Sequence, residues 1–428
     1  MAAQIEKVEP GAREAKSAGG MFRALSHRNF RLFWAGAFLS NVGTWMQAVA
    51  QGWLVLQLTN SPFWLGVDGF MATAPGLLLT LAGGVFADLV DRRRILLYTQ
   101  IGAGLSAFTL ATLLITHVVR DASQVWIILL LSFWTGCCMA LAGPSYQAFT
   151  IDLVGREDLA NAIALNSTQF QLSRVVGPVF AGLALTFGLA FCFFANGVSY
   201  IAVVVALMLV RFDGVTRRGP THAVRDKRAF WHDLTEGLRY VQGRPRVFML
   251  LMISAVTSLF GAPYLSMVPL FARDILHLNE SGLALMMGFA GAGAFCSALF
   301  VTFLGDFRYK GWSVLGGAWA FGLFLIGFSF STRLAVSLAY LFGMGFAIVC
   351  SVAVVNTLLQ KLVTDEMRGR VMSMFILSFI GAMPIGNLLA GTSAQRFGAP
   401  RTLATGGLII VLFTAIVTIR NKRLRELY

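Results

Sequence analysis

Charge is what this chain is short of. Only 13% of its 428 residues are Asp, Glu, Lys or Arg, about half the share a water-soluble domain carries. So few charges cannot cover a water-facing surface, so most of the surface must face lipid. Cysteine is scarce as well. Cys137, Cys138, Cys192, Cys296 and Cys350 all fall in apolar runs. None has metal-site spacing or a loop position that could staple a fold, and they read as small buried hydrophobes. There is no HExxH motif, no nucleophile–base pair and no phosphate loop. The histidines His27, His117, His222, His232 and His277 lie in loops or at the ends of apolar runs. These absences argue against an enzyme, a resident metal or cofactor, and ATP-driven pumping by this chain. The first 20 residues are polar and mixed in charge. With no cleavable signal peptide there, the first apolar run is expected to start translocation itself.

What is present is apolar length. Hydrophobic residues make up 57% of the chain and the mean hydropathy is +0.72. The 44 glycines suit membrane helices, which pack closely through small residues. The apolar runs are continuous and helix-length rather than strand-length. Twelve spans are expected near 32–57, 63–87, 94–117, 124–149, 161–185, 189–210, 247–271, 281–304, 312–331, 334–358, 370–394 and 402–419. The predicted fold class is therefore an all-α membrane protein. Its domains are a segment over 1–31, a six-helix bundle over 32–211, a linker over 212–246, a second bundle over 247–419 and a tail over 420–428.

The net charge of +14 could suggest a nucleic-acid partner, but its distribution excludes one. Of the 34 Lys and Arg, 28 lie in segments on the amino-terminal side of the spans and five on the other side. That bias sets topology and predicts both termini in the cytoplasm of a multi-pass protein of the cytoplasmic membrane. The same charges suit lipid headgroups. No basic patch is interleaved with aromatics as a nucleic-acid surface would require.

The long hydrophilic stretch from Arg211 to Arg246 divides six spans from six. Its apolar residues Trp231, Leu234, Leu238 and Val241 predict an amphipathic helix on the inner membrane face, and residues 21–30 are a second candidate for that role. The halves echo each other. Gly177 and Gly182 in the fifth span correspond to Gly386 and Gly391 in the eleventh, and the hairpin after the second span corresponds to residues 305–311 after the eighth. A six-plus-six repeat is the trace of a transporter built from two pseudo-symmetric bundles.

Residues 84–94 put Asp88 and Asp91 beside Arg92, Arg93 and Arg94 in a tight hairpin, with Gly84 four residues before Asp88. Such carboxylates can cap a helix or pair with arginine, and bundles that rock need contacts that form in one state only. The alternative is that the arginines only hold the loop inside. Asp68 is the one carboxylate well within a span. It is a candidate for carrying a proton, unless it lies near enough to the outer surface to stay hydrated. Arg174 lies near mid-membrane and shares a helix face with Ser167, Gln171 and Pro178. It reads equally as a contact for an anionic substrate or the proton site, or as a structural arginine bonded to carbonyls. In the first helix Asn41, Thr44, Gln47 and Gln51 make a polar face, which fits substrate contact or interhelical hydrogen bonding. Tyr146, Gln147 and Asn356 are weaker cavity candidates.

The run Gly84-x-x-x-Asp88-x-x-Asp91-Arg92-Arg93-Arg94 resembles the loop 2–3 signature of the major facilitator superfamily, with Asp91 in place of the usual glycine, as in the drug-exporter-like branch. Residues 29–36 and 41–45, and the run from Asp365 through Arg368 and Arg370 to Ser373, are similar to the bacterial enterobactin-exporter-like group. The run Ser173 to Gly182, with Gly177, Pro178 and Gly182, is similar to the fifth-helix antiporter signature, with Ser173 in place of its first glycine. The resemblance spans nearly the whole chain. It implies the major facilitator fold, and alternating access by two bundles about a midplane site with proton entry driving export. It also implies gating at Gly84, Asp88, Asp91, Arg92, Arg93, Arg94, Asp306, Asp365, Arg368 and Arg370, and a helix kink at Gly177–Gly182. The fourth span lacks the arginine of some exporters, which puts that group's proton relay in doubt. The expected cargo is a small amphipathic or siderophore-like molecule, the expected partners are protons and membrane lipids, and the expected state is a monomer. A lipid or lysolipid flippase of the same fold, or a non-transporting membrane sensor, are the alternatives.

Overall fold

The computed structural model describes residues 22–89, 91–210, 227–305, 307–421 and 425, without the side chains of 78, 80–89 and 227–234. The first six spans are α1 (Arg28–Thr59), α2 (Pro62–Leu89), α3 (Arg92–Ile115), α4 (Val125–Val154), α5 (Leu159–Ala184) and α6 (Leu189–Leu209). The linker contributes α7 (Lys227–Gln242). The second half holds α8 (Pro245–Gly261) and α9 (Tyr264–Leu270), α10 (Glu280–Leu304), α11 (Lys310–Ser329), α12 (Leu334–Leu362), α13 (Asp365–Ile380) and α14 (Ala382–Phe397), and α15 (Ala399–Arg420). Among the described residues, ten helical segments have the length and apolar composition to cross a membrane. With α1 and α2 before them, and with α8–α9 and α13–α14 each counted as one broken span, they form two bundles of six.

The proline of the expected fifth-span kink does not end its helix. Helix α5 runs unbroken through Pro178, and α2 and α4 do the same through Pro75 and Pro144. The breaks fall instead at Ala262–Pro263 and at Gly381, in the seventh and eleventh spans. A proline removes one helical hydrogen bond, and a long helix with the remaining bonds intact absorbs that loss without ending. The second candidate surface helix, residues 21–30, is also corrected. Arg23–Ser26 is one 3₁₀ turn leading into α1. It is held down by Asp158, which pairs with Arg23 at 2.9 Å and His27 at 2.7 Å. Helix α7 does form. It docks on the second bundle through buried Val241 and a 2.9 Å ion pair from Glu236 to Arg370, while Leu238 stays exposed.

The repeat has a packing counterpart. A Cβ on Gly177 would press on the Val42 carbonyl of the first span, and one on Gly386 on the Leu259 carbonyl of the seventh. Each fifth-position helix of a half thus lies backbone to backbone on the first helix of that half. We expect Gly177→Ala to cost about 1–3 kcal/mol through overpacking. A fall in apparent Tm by fluorescence-detected gel filtration checks it, and an unchanged Tm refutes the close contact.

The bundles meet unequally along their length. The end bearing most of the Lys and Arg is called the basic end, and the opposite one the far end. At the far end one buried core is shared, running from Trp53 and Leu56 of α1 through Met267, Phe271 and Met287 to Phe328 and Leu403. Among the described residues at the basic end each bundle keeps its own core, around Phe33, Phe149 and Leu207 in one and around Leu250, Val314 and Leu358 in the other. Among the described residues, contacts across the interface run from the far end to the middle: Gly66 on Asn387 and Gly391, Leu77 on Gly381, and Pro178 beside Gly288. Two polar links close the far end. Arg273 donates to the Leu56 carbonyl at 3.1 Å and to Asn60, and Ser61 donates to Gln395 at 2.7 Å.

Candidate functional site

Asp68 stands at the head of a polar chain inside the first bundle. Gln51 of α1 donates through Nε2 to Oδ1 at 2.8 Å and to Oδ2 at 3.1 Å, and Ser132 of α4 donates to Oδ1 at 2.6 Å. The Gln51 carbonyl accepts from Gln47 at 3.3 Å, and the Gln47 carbonyl accepts from Asn196 of α6 at 2.6 Å. Ser199 closes the chain by donating to Asn196 at 2.9 Å. One turn toward the basic end, Thr44 meets the Tyr200 hydroxyl at 3.2 Å. Below these, Ser40, Asn41, Gln100 and Tyr146 line a cavity of about 140 Å³ inside the same bundle.

The first-helix polar residues therefore turn into their own bundle. Thr44, Gln47 and Gln51 make the interhelical hydrogen bonds that were one of the two sequence readings, and Asn41 lines the small cavity. This geometry has a physical reason. Amide and hydroxyl groups in a membrane interior need partners, and α2, α4 and α6 supply them.

Ser132 gives Asp68 a partner in both protonation states. Its Oγ lies 2.6 Å from Asp68 Oδ1 and 2.9 Å from its own i−4 carbonyl, Ile128. A serine has one hydrogen and can also accept. With Asp68 ionised, that hydrogen points at the carboxylate. With Asp68 protonated, the carboxyl donates to Oγ and the serine hydrogen turns to the Ile128 carbonyl. Neither state leaves a buried group unpaired, as reversible proton binding in an apolar bundle requires.

Arg174 occupies a different place, on the interface between the bundles. Its guanidinium lies 5.0 Å from the centre of the Trp45 ring, and Gln171, three residues earlier, accepts from it at 3.4 Å. In the second bundle, Tyr264 is 2% exposed and its hydroxyl has no hydrogen-bond partner among the described residues. The backbone of α10 passes closely, since a Cβ on Gly291 would press on the Arg174 carbonyl. Among the described residues no ion pair joins Arg174 to Asp68 or to any other carboxylate.

The hairpin residues are held within their own halves. Asp91 caps α3 by accepting from the amides of Arg93 at 2.9 Å and Arg94 at 3.2 Å. Arg92 pairs with Asp152 at 2.9 Å, and Arg93 donates to the Met208 carbonyl at 3.0 Å. In the other half Asp365 pairs with Arg368 one turn on, and Arg370 with Glu236. Gly84 and Asp88 lie in the last turns of α2, but their side chains, like Asp306, lie outside the described residues. Asn356 accepts from Gln360 at 2.7 Å on an exposed face of α12. Gly182 packs near Ala284 of α10.

Sequence reasoning passed over Ser132, Asn196, Tyr200, Tyr264 and Arg273. Arg273 had a visible signal, as one of the few basic residues on the far side. Tyr264 directly follows the Pro263 break. The others are single polar residues in apolar spans, with nothing in their spacing to mark them.

Among known proteins, a family profile described as "Transmembrane secretion effector" matches residues 19–427. The staphyloferrin A transporter of Staphylococcus aureus is 22% identical over 404 residues, 92% of this chain and 97% of its own length. The enterobactin exporter EntS of Shigella flexneri is 26% identical over 411 residues, 94% of each chain. Among solved structures, the POT family transporter PepTSo superposes with a TM-score of 0.72 at 12% identity, covering 93% of this chain and 98% of its own. At that identity the likeness speaks for the fold alone.

Proposed function

The chain belongs to the transmembrane secretion effector family, within the major facilitator superfamily, and from that membership we propose that it exports small amphipathic or siderophore-like molecules by proton-coupled antiport. That it is a multi-pass membrane efflux transporter, and not an enzyme, follows from the family and its exporter relatives. The finer reading adds alternating access, proton entry and orientation. The basic end faces the cytoplasm, with both termini there, in the cytoplasmic membrane.

One observation supports the mechanism: among the described residues, a core shared at the far end and divided at the basic end. We read that packing as a state closed to the outside and open to the cytoplasm. In the opposite state the far-end links through Arg273 and Ser61 break. The charged hairpins, with Gly84, Asp88, Asp91, Arg92–Arg94, Asp306, Asp365, Arg368 and Arg370, approach across the basic end. Their described ion pairs within each half support this reading, because in this state they are not spent on the opposite bundle. Asp68 carries the proton, exchanging it through the polar chain of Gln51, Gln47 and Asn196.

The test is uptake into inverted vesicles of a panel of amphipathic cations, neutral aryl compounds and catecholate siderophores, with an acid interior. At least one compound should accumulate, and nigericin should abolish its accumulation. Accumulation that ignores nigericin throughout the panel rejects antiport.

A further inference from the structure

The small cavity within the first bundle is sized and lined for one uncharged ring. It holds about 140 Å³, close to the ~150 Å³ that admits one benzene-sized molecule. Phe33, Leu96, Ala142, Val203 and Leu207 give it apolar walls. Phe33 lies 4.9 Å from the Tyr146 ring and meets Phe149 edge-on at 5.2 Å between centres, so this aromatic wall is held in place. Two carboxamides interrupt the apolar lining. Asn41 of α1 has no hydrogen-bond partner among the described residues. Gln100 of α3 uses only its carbonyl there, which accepts from Ser40 at 3.5 Å. The groups left free are the Asn41 carbonyl and the NH2 of each amide.

These groups select by charge. None of the described residues that line the cavity is charged. An ionised group in an apolar cavity needs an opposite charge to offset its lost hydration, and here it would meet only amides. A hydroxyl or a carboxamide both donates and accepts, as Asn41 and Gln100 together do. The cavity can also be reached. On α4, Ser132, Met139, Gly143 and Tyr146 follow at steps of seven, four and three and share one face. Exposure rises along that face, from 6% at Ser132 to 38% at Met139, and Gly143 is exposed. The rise runs toward the basic end, where each bundle keeps its own core among the described residues.

We propose that this cavity is a substrate subsite for an uncharged six-membered ring bearing a hydroxyl or carboxamide, with the ring against Phe33 and its polar group bonded to Asn41 and Gln100. This deepens the export reading and rests on it. The subsite lies wholly within the first bundle, so a ring seated there keeps its contacts while the bundles move. The rest of the substrate projects past Met139 toward the basic end.

The test uses the full chain in lipid nanodiscs, with Met139→Cys as a reporter at the edge of the cavity. Alkylation by N-ethylmaleimide is read by mass spectrometry at position 139 and, for reference, at the native exposed Cys296 of the second bundle. Phenol and benzamide should slow labelling at 139 at least threefold and leave Cys296 unchanged. Toluene, which lacks the hydrogen-bonding group, should need about fivefold higher free concentration. Benzoate and benzylammonium should have no effect. Asn41→Leu combined with Gln100→Leu should bring phenol level with toluene. Ala142→Leu, which fills the cavity, should remove protection by every probe. Should Ala142→Leu fail to fold, the double leucine variant carries the test. Labelling that no probe slows, charged rings that protect as well as phenol, protection that survives Ala142→Leu, or a phenol advantage that survives the double variant overturns the proposal. Protection is read without a pH gradient, so it can hold where proton-driven export fails, and the reverse.

Discussion

Asp68→Asn is expected to abolish pH-driven transport while leaving the protein folded and able to exchange substrate. The side chains are nearly isosteric, and an amide can still bond to Gln51 and Ser132. What it cannot do is take up and release a proton. Inverted vesicles carrying the variant should accumulate substrate no faster with an acid interior than after nigericin. Substrate counterflow, which moves cargo both ways with no net proton transfer, should persist. The expected loss is the whole gradient-dependent rate, because a carboxylate is needed and Asp68 is the one within an apolar span that the polar chain serves. Full gradient-driven accumulation in the variant would show that another group carries the proton. Ser132→Ala is the partial counterpart. It removes the acceptor that a protonated Asp68 would use, so it should slow proton-driven turnover and spare counterflow.

How far this site could be read from sequence depends on the residue. Asp68 stood out because a carboxylate in an apolar span is costly unless it is paired or hydrated. Ser132 did not, because any helical serine can bond its own i−4 carbonyl, and Ser132 does so with Ile128 as well as serving Asp68. The polar face of α1 was visible from its spacing, but not the direction in which it points, which depends on Asn196, Tyr200 and Ser132 arriving from other helices. The fold was more legible. The apolar runs, the hydrophilic midpoint and the glycine echo between the fifth and eleventh spans all follow from the physics of the bilayer and of close helix packing. The breaks were not, since Pro75, Pro144 and Pro178 lie within intact helices while the seventh span breaks at Pro263.

Two glycines separate a packing contact from a switching one. A Cβ on Gly66 would lie 2.6 Å from the Asn387 carbonyl oxygen and 2.7 Å from the Gly391 Cα, across the far-end interface between bundles. A Cβ on Gly293 would press on the Phe342 carbonyl, between α10 and α12 of one bundle. Each alanine substitution must push backbone aside, at about 1–3 kcal/mol. If the bundles rock as rigid bodies, the Gly293 contact exists in both states and the Gly66 contact in one. Gly293→Ala should then lower the apparent Tm without moving the equilibrium between states. Gly66→Ala should penalise only the far-end-closed state, shifting the equilibrium toward far-end opening by about 5–150-fold for that energy range. Dyes at the exposed positions 117 and 333, in far-end loops of opposite bundles, should report it as a growing population of longer distances by single-molecule energy transfer. A lower Tm for Gly66→Ala with an unchanged distance distribution would mean that the glycine seam is fixed structure, and the divided core at the basic end would then lose its meaning as one state of a cycle.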